Sequence, residues 1–164
     1  MKCVTNTPPF VWLNRIGMLD LVFDVYDTVY TTPEVKKELG YFAVPSPLID
    51  ALVIPPEVGA NPRRFNRLVR RWKRKLSLDD LADVEVFVSY RQFSDADEML
   101  FANKEAEHKF SVAGGKVRDI ANLFEPAEEK GLFTREDSLR YLNALLGADF
   151  RSPYVRELIS RISV

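Results

Sequence analysis

The chain has one cysteine and one histidine in 164 residues. Cys3 has no second cysteine with which to close an internal disulfide, and one Cys plus one His cannot build a Cys/His zinc site. Cys3 lies in a short apolar segment and reads as a buried, inert thiol. His108, set among Lys104, Glu105, Glu107 and Lys109, reads as a solvated helix residue. No apolar run is long enough to span a bilayer, and no basic-then-apolar amino terminus marks a secretion signal. The expectation is a cytoplasmic protein with no membrane partner. A formal net charge of −1 gives no global attraction to a polyanion, so a nucleic-acid surface would have to come from local clustering of charge. There is no internal repeat and no low-complexity tract.

The composition is that of an ordinary globular protein, 46% hydrophobic and 29% charged. The length suits one domain, residues 1–164. Residues 2–5 form an apolar strand. Pro8 or Pro9 opens a helix, where a missing amide hydrogen costs nothing. Residues 22–30, rich in Val, Tyr and Phe, read as a second strand region. Thr31 or Thr32 then caps a helix from Pro33 to Leu39 that has Glu34 in its first turn. Seven prolines and glycines break up residues 40–62 into a loop-rich insertion, with a third strand expected at 51–54. Residues 77–80 look like a helix start. Residues 81–90 fit either a strand, from the alternation of Val84, Val86 and Val88, or a helix. Ser94 would cap a helix reaching about residue 107. A short strand at 110–112 and a helix at 116–124 would follow, and residues 126–164 read as a helical extension. Alternating strands and helices argue for an α/β fold with a central parallel sheet between helical layers.

Residues 63–76 carry the densest charge. Arg63, Arg64, Arg67, Arg70, Arg71, Lys73, Arg74 and Lys75 alternate with Phe65, Leu68, Val69, Trp72 and Leu76, and no acid falls among them. The apolar positions match one face of a helix. Like charges at i, i+4 destabilise an isolated helix by roughly 0.2–0.5 kcal/mol per pair. An anionic partner relieves that repulsion, which points to an RNA backbone or an acidic protein.

The order of segments resembles the PIN-domain family of metal-dependent ribonucleases, many of them toxins of toxin–antitoxin pairs. The strand ending at Asn6, followed by Thr7, resembles the family's first motif, with Asn where an Asp is usual. Pro33, Val35, Glu38 and Leu39 resemble its second. Residues 94–102 resemble an acid-bearing helix of one subgroup, with Asp95 and Asp97 at the acid positions. Residues 127–132, the leucines 139, 142 and 145, and residues 150–155 resemble that subgroup's tail. The resemblance implies a three-layer α/β/α PIN-like domain and a site for Mg2+ or Mn2+ held by Glu38, Asp97 and Asp95. Asp97 is favoured as the direct ligand, with Glu98 in reserve. Asn6 would add a neutral oxygen or serve only as a turn residue. The acid usual after a later strand is missing, because residues 113–115 are Ala-Gly-Gly. The implied function is an RNA-cleaving enzyme with an incomplete acidic site. The alternative is an inactive RNA- or protein-binding module on the same scaffold. The resemblance also implies an antitoxin-like protein partner and a homodimer.

Overall fold

The computed structural model describes residues 1–164, the side chain of Pro153 excepted. Strand β1 (Lys2–Thr5) lies at the centre of a four-stranded parallel sheet. It pairs on one side with β2 (Thr28–Tyr30) and on the other with β3 (Glu98–Phe101), which in turn pairs with β4 (Val117–Asp119). The strand order is β2-β1-β3-β4.

Side chains alternate across the sheet, as the two-residue period of a strand requires. Cys3 and Leu100 point into one apolar cluster, while Val4, Met99 and Phe101 point into the other. The first cluster is covered by α1 (Thr7–Arg15), α2 (Leu21–Val25), α3 (Pro33–Leu39), α4 (Ser46–Ala51), α9 (Phe124–Glu129), α10 (Arg135–Gly147) and α11 (Pro153–Ser163). The second is covered by α5 (Pro56–Ala60), α6 (Pro62–Leu76), α7 (Leu81–Val88) and α8 (Lys104–Val112). The fold is therefore a three-layer α/β/α sandwich with a helical carboxyl-terminal part, as the alternation of segments predicted.

The crossover from β1 to β2 runs over the first face, and the crossover from β3 to β4 runs over the second. The chain thus changes direction between β1 and β3. In open parallel sheets the crevice beyond the carboxyl ends of two such strands is the usual ligand position.

Several local expectations are corrected. Residues 94–107 do not form one helix. Residues 94–97 are irregular, and Glu98–Phe101 is the buried strand β3. A strand covered by helices on both faces is apolar throughout and loses the alternation that identifies half-exposed strands. The expected strand at 110–112 is the end of α8, whose face carries Ala106 and Phe110 inward. The expected helix at 116–124 is strand β4 followed by a 3-10 turn, Ile120–Asn122. The second strand region divides into α2 and the shorter β2. The third strand at 51–54 reduces to one parallel bridge, Tyr30 to Val53, within a segment of short helices. Residues 81–90 resolve as helix α7 running into a π-helical turn, Ser89–Phe93. Cys3 is buried, and His108 is exposed on α8.

Candidate active site

Three segments bring side chains to the carboxyl end of β1. The strand tip is pinned first. Thr5 Oγ1 donates to the Leu100 carbonyl at 3.1 Å, and Thr31 Oγ1 donates to the Thr5 carbonyl at 3.0 Å. Asn6 follows directly, 2% exposed, at the amino-terminal end of α1. Glu38 stands one residue from the end of α3, a helix started by Pro33 and capped by Thr32, whose hydroxyl accepts from the Val35 amide. The Thr7 hydroxyl donates to Glu38 Oε2, which ties the end of α3 to the tip of β1.

The third contribution comes from the opposite layer. Asp80 caps α7, one carboxylate oxygen accepting from the Ala82 amide at 2.9 Å and the Asp83 amide at 3.4 Å. This cap places Asp83 in the first turn, facing the sheet and 3% exposed. Asn6 Nδ2 donates to Asp83 Oδ1 at 2.6 Å. Only the amide nitrogen can meet a carboxylate in this way, so Asn6 Oδ1 is left over, buried and without a partner. Burial drives the Asp83 carboxyl up to about pH 6; Asp80 and Glu38 add to the rise, and the Asn6 hydrogen bond opposes it. Glu85, two residues further on and on another face of α7, is also raised, by burial and by the nearby Glu34.

Asn6, Thr7, Glu38, Asp80 and Asp83 open onto one cleft of about 610 Å3 between the two helical layers. Asn6 and Thr7 form its floor, Asp80 and Asp83 one wall, and Glu38, Trp12, Arg15, Tyr41 and Phe42 the other. A smaller hollow of about 190 Å3 shares Asp80 and Asp83 and adds Asn103, just beyond the tip of β3.

No protein-family model, curated protein or solved structure matches the chain.

The structure places Asn6 and Glu38 on the same cleft, but not Asp95 or Asp97. Asp97 exchanges backbone and side-chain hydrogen bonds with Lys2, at the start of β1. Asp95 pairs with the Lys2 ammonium and accepts from the Tyr30 hydroxyl at 2.7 Å. Both stand at the amino-terminal edge of the sheet, one strand length of about 13 Å from Asn6. The reserve residue, Glu98, is engaged too: it is buried and bonded to Arg118 Nε and to the Tyr26 hydroxyl, each at 2.6 Å. The carboxylate that joins Asn6 and Glu38 is Asp83, supported by Asp80. Asp80 appears in the sequence as an acid at a helix start, where the macrodipole alone accounts for it. The signal for Asp83 is an acid flanked by Leu81, Val84, Val86, Phe87 and Val88, which must be buried if the segment is a helix.

The basic residues behave as one surface. Helix α6 is opened by Pro62 and by Asn61, whose side chain accepts from the Arg64 amide at 3.2 Å. It buries Phe65 and Val69 and closes on Ser77 in the left-handed conformation. Arg63, Arg64, Arg67, Arg70, Arg71, Arg74 and Lys75 are exposed and Lys73 is half-buried. None of the eight makes an ion pair among the described residues. Arg63, Arg67, Arg70 and Arg74 line a shallow hollow of about 460 Å3. Helix α6 leads directly into the turn that carries Asp80, so this row ends close to the cleft.

The donor set suits a hard cation. Carboxylate and amide oxygens are the ligands that Mg2+ and Mn2+ prefer, and Asn6 Oδ1 is a buried acceptor with nothing to accept from. Among the described residues no three Asp, Glu, His or Cys side chains converge closely enough to hold a metal ion between them. Magnesium is commonly held by one or two carboxylates, with water and substrate phosphate completing its shell.

Proposed function

We propose that the protein is a PIN-like, Mg2+- or Mn2+-dependent ribonuclease whose site is the cleft at the tip of β1. The observation that carries this reading is the meeting of Asn6, Glu38 and Asp83 beyond the carboxyl end of β1, at the switch point of a parallel sheet. Glu38 and Asp83 would hold the cation, with Asn6 Oδ1 as a neutral ligand and Asp80 beside them. A bound cation would lower the pKa of a water and neutralise charge building on the phosphate. The arginine row of α6 would grip the RNA backbone through phosphates, without reading sequence. A cytoplasmic setting, an acidic antitoxin-like partner and a two-fold dimer belong to the same reading.

A second reading has its own support. Asn6 brings no charge, and its amide already occupies one oxygen of Asp83. Such a site holds a cation weakly, which favours a binding module that has lost cleavage. One assay separates the two. Labelled single-stranded RNA is incubated with the protein and millimolar Mn2+, alongside Glu38→Gln and Asp83→Asn. The nuclease reading expects cleavage that needs Mn2+ and falls at least about 100-fold in each variant, since a bound ion supplies several kcal/mol to such a step. Tight RNA binding with no cleavage by the wild type would establish the module instead.

A further inference from the structure

Resting on the RNA reading above, we propose that the wall of the cleft opposite Asp80 and Asp83 is a base-stacking subsite, made by Trp12, Arg15, Tyr41 and Phe42, which holds an unpaired nucleobase. Tyr41 and Phe42 follow Glu38 on a single 3-10 turn, Gly40–Phe42, and are 78% and 48% exposed. Open aromatic rings at the mouth of a cleft contribute nothing to the core. Their neighbours on the same wall, Trp12 and Arg15, are held in place by packing. Trp12 receives Phe150 edge-on, with ring centroids 5.1 Å apart, and the Arg15 guanidinium lies 4.6 Å from the Trp12 ring centre. Aromatic rings and guanidinium planes are the two protein surfaces on which unpaired bases stack.

The volume fits the same ligand. About 610 Å3 is far more than a hydrated ion needs and lies within the range of small-molecule pockets. The position completes the argument. The arginines of α6 belong to the layer that carries Asp80 and Asp83, while the stacking wall belongs to the other layer. A single strand held by its phosphates on α6 and by a base on Tyr41 crosses the acids between the two grips. An apolar protein knob seated here would instead strip water from Glu38 and Asp80 without neutralising their charge, which is unfavourable.

The test is fluorescence anisotropy with a labelled twelve-residue single-stranded RNA, and with an abasic strand having the same phosphates. The proteins are the wild type, Tyr41→Ala/Phe42→Ala, Tyr41→Trp, and Arg67→Ala/Arg70→Ala/Arg74→Ala. The proposal expects the wild type to prefer the base-bearing strand by about 5- to 100-fold, the range of one stacked base. The aromatic double variant loses that preference and keeps its salt dependence, and Tyr41→Trp retains it. The arginine variant weakens both strands equally. An aromatic variant that keeps the base preference overturns the subsite while leaving the RNA reading intact. Loss of self-association with the base preference retained overturns it in favour of a protein contact. Failure of the wild type to bind either strand at low salt overturns both.

Discussion

At the scale of single residues, the pair Asn6 and Asp83 decides the character of the cleft. Asp83 is an acid pressed into an apolar helix face, and burial raises its carboxyl to about pH 6 from an ordinary value of 3.8. The native state therefore holds this proton more tightly than the unfolded chain. Its contribution to stability is complete below about pH 4 and is lost as pH rises through 6, a change of order 3 kcal/mol. Asp83→Asn removes that loss while keeping an oxygen for the Asn6 amide. Urea denaturation should give this variant about 1–3 kcal/mol more stability than the wild type at pH 8, and little difference at pH 4. A variant less stable at pH 8 would contradict the burial argument. Asn6→Asp tests the other partner. It sets a second carboxylate at hydrogen-bond distance from Asp83, which should lower the melting temperature at pH 8 by several degrees. Millimolar Mn2+ should restore it, because a cation between the two carboxylates neutralises their repulsion. A melting temperature that ignores Mn2+ would count against a cation position here.

At the scale of elements, α6 and β3 show what the sequence reveals and what it conceals. Helix α6 was legible because its apolar positions repeat at helical spacing and its charges share one sign. Its outward arginines should show as a salt slope in RNA binding. Removing Arg67, Arg70 and Arg74 together should reduce the slope of log K against log salt by about 2, at about 0.7 per phosphate lost from a single strand. An unchanged slope would place the RNA elsewhere. Strand β3 was not legible. Its residues are buried on both faces, and the Asp95 and Asp97 that precede it imitate the first turn of a helix. The acid that opens β3 is held by a network no local pattern shows: Arg118 joins Glu98 to Glu125, and Tyr26 donates to Glu98. Arg118→Met would leave Glu98 buried without its main partner and should cost about 3–5 kcal/mol in urea denaturation at pH 7. A loss below 1 kcal/mol would mean that Lys116 and Tyr26 suffice. Glu38 was legible from its helix, and Asn6 from the end of its strand. Asp83 was not, because its partner lies 77 positions away and only the packing of α7 over β1 joins them.

At the scale of the whole molecule, a parallel sheet with two helical layers gathers polar groups at one end and leaves the other end to structural pairs. Lys2 with Asp95, and the amino terminus with Asp27, close the amino-terminal edge. The carboxyl-terminal edge collects Asn6, Thr7, Asp80, Asp83 and Asp119 instead. Asp119 is also raised to about pH 6, chiefly by burial. Two buried carboxyls shifted in the same direction give the whole protein a common pH dependence, with stability falling between about pH 4 and pH 6. Glu38, Asp80 and Asp83 resist sharing one cleft without a counter-charge, and that is the central point of the account. The most direct test is calorimetric titration of the wild type and of Glu38→Gln/Asp83→Asn with Mn2+ at pH 7.5. The account predicts a saturating heat for the wild type that disappears in the double variant. No saturable heat at millimolar Mn2+, or the same heat in both proteins, would contradict it.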